Sequence, residues 1–364
     1  MKKTLIASAI AAVVAAPAVS FADVSISGNV IQEFVSDSDE TATSEDGLES
    51  KAAVDLVFSV SEDLGNGMSA FAKIHTLRDN GGSGNADQVV GLKGDFGTIV
   101  AGRMEDFSEG KVAAMAATDS SDALSIEPNG TYNTGRAEGG IAYVSPSFNG
   151  LTFGVAGYAL ANGGKTSGTV STITAVANLS SATSTVAVSG SAGTATLTAQ
   201  DTNSYDADAK IDATDMMLEY ANGPLLVRVA RESIDAGATK AGPTGQDQET
   251  DSIGVSYKMD NITVVGYAFD VENGRGTSTN DADGWMIGAK MAMGANTFGI
   301  GYSEETDTNT SGNVETTGDD KNWMVSVDHA LSKRTSITAA FEANEDGTAG
   351  ADNDKWAVGL KHVF

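Results

Sequence analysis

Polar and apolar residues alternate with a period of two along much of the chain, and runs with helical spacing are nearly absent. In 51–61, Val54, Leu56, Phe58 and Val60 share one face, while Asp55 and Ser59 lie on the other. In 151–159, Leu151, Phe153 and Val155 alternate with Thr152, Gly154 and Ala156, and in 225–232 Leu225, Val227 and Val229 oppose Arg228. A strand shows this pattern when its two faces meet different surroundings. The sequence predicts sixteen strands, at 23–34, 51–61, 68–77, 87–94, 97–105, 137–145, 151–159, 214–221, 225–232, 251–258, 262–270, 284–291, 295–303, 322–329, 335–343 and 355–364. The segment 160–213 has room for one more hairpin, so the count holds to within about two.

The links between these strands alternate in length. After the even-numbered strands they are tight, as in Asp63-Leu64-Gly65-Asn66-Gly67, Asp95-Phe96, Pro146-Ser147-Phe148-Asn149-Gly150, Asn222-Gly223-Pro224 and Met259-Asp260-Asn261. Gly, Asn, Asp and Pro supply the backbone angles that such turns demand. After the odd strands the links are mostly long and polar: Ser36–Ser50, Asp106–Arg136, Leu160–Ala213, Ser233–Thr250 and Glu304–Lys321. Short turns at one end and long loops at the other are the layout of an outer-membrane barrel, with the apolar face toward lipid and the polar face toward a lumen. An antiparallel sheet over an ordinary core gives the same alternation strand by strand, but has no reason to sort its loops by end. Aromatics gather near strand boundaries, with Phe96 and Phe148 at turns and Tyr158, Tyr220, Tyr257, Tyr302, Trp285, Trp323, Trp356 and Phe364 elsewhere. Headgroup zones favour such rings; plain strand propensity favours them as well.

The start of the chain changes the picture. Lys2 and Lys3 precede an apolar run from Leu5 to Val19, broken only by Ser8 and Pro17, and Ser20-Phe21-Ala22 places small residues three and one positions before a cut. This is the layout of an export signal over 1–22, with a mature chain of 23–364. The run is short for a bilayer-spanning helix, and no other stretch approaches that length, so any crossing falls to strands. Loss of the two signal lysines takes the formal charge from -27 to -29. Such acidity excludes nucleic acid as a partner, because phosphate is repelled. The chain has no cysteine, which removes disulfide and thiolate chemistry and fits a bacterial envelope protein.

Four segments carry a resemblance. The end, Lys355-Trp356-Ala357-Val358-Gly359-Leu360-Lys361-His362-Val363-Phe364, alternates and closes on an aromatic. Leu331-Ser332-Lys333-Arg334-Thr335 looks like the turn before a penultimate strand. Leu92-Lys93-Gly94-Asp95-Phe96-Gly97-Thr98 with Gly102-Arg103 looks like a fourth and fifth strand, and Tyr143 to Leu151 like the turn between a sixth and a seventh. In this order they resemble the Gram-negative general porins. The resemblance implies an all-β transmembrane antiparallel barrel of sixteen strands in the outer-membrane lipid, usually a homotrimer. It implies passive diffusion of small hydrophilic solutes and ions. It also implies that Phe364, with Trp356 in the same strand, serves as a signal to the barrel-assembly machinery. The third long loop, here Asp106–Arg136, is expected to fold into the lumen as a constriction. Its acids are Asp106, Glu109, Asp119, Asp122 and Glu127, with Glu105 at its root. On the wall, Arg103 and Arg136 match family positions, and alternation adds Lys73 and Arg228. Asn29 and Ala142 stand where relatives often place a base, so the field across the pore is expected to be weaker and its potential more negative.

Little else points to chemistry. His75, His329 and His362 are far apart and lack metal-ligand spacing, and no nucleophile elbow or phosphate loop is present. Gly81-Gly82-Ser83-Gly84 reads as a flexible loop. Acidic clusters such as Asp352-Asn353-Asp354 offer oxygen ligands to calcium but lack the spacing of an EF-hand loop. No cofactor and no enzyme activity are implied. A secreted acidic all-β adhesin or binding module shares the strands and the acidity, but needs no closing strand ending in Phe364. A barrel enzyme needs a nucleophile and base on the rim, and the sequence offers no such pair. Charge on the lipid face is costly, so the acidic excess belongs to lumen and loops, and a diffusion pore of this composition is expected to prefer cations.

Overall fold

The computed structural model describes residues 22–37, 48–79, 82–115, 121, 124, 136–159, 211–235, 247–274, 279–311, 314–346 and 353–364. The expected export signal and the segment 160–210 lie outside them. Sixteen strands follow in chain order. They are β1 (Asp23–Asp37), β2 (Leu48–Gly65), β3 (Met68–Asp79), β4 (Gly82–Gly94), β5 (Gly97–Glu105), β6 (Arg136–Val144), β7 (Leu151–Ala159) and β8 (Ala213–Asn222). Then come β9 (Leu225–Ile234), β10 (Gln248–Met259), β11 (Ile262–Gly274), β12 (Thr279–Met293), β13 (Asn296–Ser311), β14 (Val314–Ala330), β15 (Thr335–Asp346) and β16 (Asn353–Val363). Each pairs with the next, and β16 pairs antiparallel with β1, so the sheet closes into a barrel. Closure leaves no sheet edge, which is the condition for a sheet to sit in hydrocarbon.

The alternation in the sequence becomes the two faces of this wall. Ile26, Phe58 and Ile74 stand side by side in register, as do Ala72 and Val90. These positions face outward: Ile74 is 53% exposed and Val90 62%. Between them, Ser59 lies opposite Lys73, and Lys73 opposite Val89, on the lumen side. Tight turns hold the register at one end. Asn66 and Gly67 (φ 54° and 75°) and Asn149 and Gly150 (φ 53° and 90°) take the left-handed angles that suit strand twist and that few other residues accept.

Aromatic rings mark the outer face near both ends. Toward the long loops, Tyr302 lies opposite Trp323 and Phe341 opposite Trp356, with ring centroids 5.6 Å apart for Trp285–Tyr302 and 5.3 Å for Trp323–Phe341. Toward the short turns, Phe96, Phe148, Tyr257, Phe298 and Phe364 are exposed. Tyr158, expected with them, instead points inward and is fully buried, because it pairs with the inward Gly140. A second correction concerns Glu304–Lys321. It is not a loop but a continuous hairpin, paired from Glu304↔Lys321 to Ser311↔Val314. Past the apolar zone both faces are polar, so alternation fades, while threonine and cross-strand bonds such as Thr306 Oγ1 to Asp319 (3.1 Å) continue the strand.

Candidate functional site

After Glu105 the chain leaves the wall and turns into the barrel. Asp106 shapes the entry: its Oδ1 accepts the Glu109 N–H at 2.7 Å, and its carbonyl accepts the Gly110 N–H at 3.0 Å. These bonds wind a single wide helical turn, Ser108–Val112, followed by a tighter one at Ala113–Met115. Four strands receive the turn on their inner faces. The Phe107 N–H donates to Asp215 of β8, and the Ser108 and Ser252 hydroxyls meet at 2.7 Å. Arg228 of β9 donates from Nη1 to the Lys111 carbonyl at 2.9 Å and from Nε to Glu219 at 2.7 Å. Beneath the loop, a Cβ added at Gly154 would lie 2.8 Å from the Phe107 ring, and one at Gly254 would lie 3.1 Å from the Val112 carbonyl. The residues that alternate with these contacts, Phe153, Met216, Val229 and Ile253, are exposed on the outer face. The described start of the loop, Asp106 to Met115, therefore lies inside the barrel against β7–β10.

The basic side chains are held by acids of the same wall. Arg136, where the loop returns, contacts Glu105 at 2.6 Å and Asp87 at 3.6 Å, and Lys73 contacts Asp87 at 2.8 Å. Asp87 thus joins Lys73 and Arg136 into one chain of charges ending at Glu105. Nearby, His75 Nε2 lies 2.7 Å from Asp55 Oδ1. The loop root carries carboxylates and the nearby bases Lys73 and Arg136 are held in ion pairs, an arrangement that can act on passing ions by charge.

The structure sorts the expected site residues into groups. Glu105, Asp106 and Glu109 come together at the loop's root, and Lys73 and Arg136 join Glu105 through Asp87. Arg228 is on the inner wall as alternation predicts, but beneath the loop, where it anchors the turn instead of facing it across the lumen. Arg103 follows Gly102, whose φ of 132° interrupts the strand, and its Nε donates to the Ala86 carbonyl at 3.0 Å. Asn29 lies opposite Asp55, and Ala142 opposite Ala156, so neither adds charge to the wall. Asp119, Asp122 and Glu127 lie outside the described residues. Trp356 is part of the outer aromatic row, and Phe364 exchanges backbone bonds of 3.0 and 3.2 Å with Gly28 across the closing seam. Among the described residues no group of three acids or histidines is placed to hold a metal ion. Sequence reasoning missed Asp87, Asp215, Glu219 and the two glycines under the loop. Their parity could have found them, since Asp215 shares its face with Met217 and Glu219.

A family model described as Gram-negative porin matches residues 7–349. No curated protein sequence matches the chain. Among solved structures, the anion-selective porin from Comamonas acidovorans superposes with a TM-score of 0.64 at 16% identity, over 94% of this chain and 100% of that one. Salmonella typhi OmpF, in a complex with daunomycin, gives 0.66 at 15% identity, over 94% and 97%. OmpT, an outer membrane protein of Vibrio cholerae, gives 0.60 at 10% identity, over 94% and 98%.

Proposed function

Because the chain belongs to the Gram-negative porin family, we propose that it forms a cation-preferring diffusion pore for small hydrophilic solutes. The family places it in the bacterial outer membrane. Short turns then face the periplasm and long loops the exterior. The mature chain is 23–364, released from a signal at 1–22, inserted by the barrel-assembly machinery and assembled as a homotrimer. Glu105, Asp106, Glu109, Asp119, Asp122 and Glu127 form the acidic side of the constriction, and Lys73, Arg103, Arg136 and Arg228 are the bases near it.

One observation supports the cation preference above the others: among the described residues Lys73, Arg136 and Arg228 each meet a wall carboxylate, so the charge of these three bases is compensated and does not offset the loop's acids. Since an anion-selective porin shares the fold, selectivity rests on these charges and not on the barrel. Charges along a narrow, low-dielectric path focus the field, so cations concentrate there and anions are depleted. Loop charges farther out are screened beyond about 8 Å at physiological salt. The test is the reversal potential across a planar bilayer under a salt gradient. Neutralising Glu105, Asp106, Glu109 and Asp119 to their amides should reduce the cation preference much more than neutralising Asp37, Asp39, Glu40 and Glu45. An anion-selective wild type overturns the preference, and equal effects of the two sets move the selectivity to the outer mouth.

A further inference from the structure

Lumen-facing charge is not spread evenly along the barrel axis. Lys93, Lys258, Lys290 and Lys361 each lie within four residues of a short turn or of the chain end. All four face the lumen. Lys93 follows the outward Leu92, Lys258 sits between the outward Tyr257 and Met259, and Lys361 lies opposite the inward Ile31. Lys258 and Lys290 flank Thr263 on one rung, and the four lysines are spread over β4, β10, β12 and β16. Among the described residues, the ion pair Arg228–Glu219 also lies near a short turn. The other acids facing the lumen at this end are Asp23, Asp63 and Asp328, so the rim is close to neutral with a basic surplus of one. The half nearer the long loops differs. Among the described residues the acids facing inward there include Glu33, Asp55, Asp87, Glu105, Asp215, Glu232, Glu305 and Glu342. Against them stand the bases Lys51, Lys73, Arg136 and Lys355, which leaves an acidic surplus, and the long loops add more acids.

We propose that this axial charge step makes the pore a rectifier, with Lys93, Lys258, Lys290 and Lys361 as the residues that give its ion flow a direction. The inference rests on the diffusion-pore reading above. Cations fill the acidic half and are scarce at the lysine rim. A voltage positive on the loop side drives cations from the acidic half into the rim, and draws anions from the rim toward the acidic half. Both carriers accumulate where the two zones meet, and conductance rises. The opposite polarity withdraws both carriers from that junction, and conductance falls. The direction favoured is cation entry from the exterior toward the periplasm. A transverse field at the constriction has no such polarity, because it acts equally on ions moving either way.

The test is the current–voltage curve of oriented single channels. The chain has no cysteine, so Ser147→Cys, exposed in the β6–β7 turn, reports orientation by one-sided reaction with an impermeant thiol reagent. At about 0.01 M salt, where the Debye length of about 30 Å matches the barrel's scale, the current should be roughly twice as large with the loop side positive. At about 1 M salt, with a Debye length of about 3 Å, the asymmetry should vanish. The triple change Lys93→Glu, Lys258→Glu and Lys361→Glu makes the lumen acidic throughout. It should abolish rectification while raising the cation preference, a combination that loss of structure does not produce. Lys→Arg at the same positions should keep the wild-type curve. A linear wild-type curve at low salt overturns the proposal, as does rectification unchanged in the glutamate variant or lost in the arginine variant. Symmetric currents through a conducting pore overturn only the axial step, whereas absence of conductance overturns the pore itself.

Discussion

At Gly154 the inner wall meets the Phe107 ring with bare backbone, and a Cβ there would fall 2.8 Å from the ring. The wall cannot yield, since its strand is bonded on both sides, so an added side chain must displace the loop. Gly254 plays the same part under Val112 and Met115. Arg228 complements them by pulling where the glycines permit approach. Its planar fork reaches the Glu219 carboxylate and the Lys111 carbonyl together, which a lysine ammonium on a flexible stem cannot do in the same geometry. Gly154→Leu should therefore overpack the contact at a cost of about 1–3 kcal/mol. The expected readouts are a lower unfolding temperature in detergent and an altered single-channel conductance. Gly266→Leu is the control: its added carbon meets nothing closer than 3.9 Å, so conductance should stay at the wild-type value. An identical conductance in the Gly154 variant would mean that the loop does not depend on this contact.

The loop after β5 is the element whose position the sequence states least directly. Its length and its place after the fifth strand point to a function, since a long ordered loop in a compact protein usually has one. The resemblance supplied the inward fold. The bonds that produce it link residues more than a hundred positions apart, such as Phe107 with Asp215 and Ser108 with Ser252, and no local period encodes them. On the proposed constriction role, deleting Ala113–Asp122 should raise single-channel conductance while the anchored root from Asp106 to Val112 remains. Unchanged conductance in a folded barrel removes the constriction role. The strands show what local pattern can and cannot reveal. Val54, Leu56, Phe58 and Val60 fall on the outer face as alternation requires, and Lys73 and Arg228 fall on the inner one. The hairpin tips of β13 and β14 carry polar residues at successive positions, so no alternation marks them as strand. Arg103 was hard to place because Gly102 breaks the alternation just before it.

Closure is a property of the whole molecule, and it is made by the two ends of the chain. β1 bonds β2 on one side and β16 on the other, so the last strand cannot pair fully until the first is in place. The seam ends at Phe364, whose N–H donates to the Gly28 carbonyl and whose carbonyl accepts the Gly28 N–H. Gly28 is itself tightly fitted, as an added Cβ would lie 2.0 Å from the Asp55 carbonyl oxygen. Yet Phe364 is 38% exposed, at the very end of the seam. Removing this residue deletes two backbone hydrogen bonds, each with a net contribution of about 0.5–1.5 kcal/mol. Fifteen other strand pairings remain, so the stability of a finished barrel should change modestly. A signal read during insertion behaves differently, because its loss acts before any pairing has formed. Deletion of Phe364 is thus expected to lower the assembled yield in cells severely while leaving refolding into detergent micelles nearly normal. Phe364→Tyr, which keeps a terminal aromatic, should restore much of the cellular yield. The measurement is the fraction of unboiled protein that migrates as folded barrel on a gel, compared between outer-membrane extracts and refolded samples. Equal losses in both would assign Phe364 to the energetics of the seam, and normal cellular assembly without it would remove the signal role.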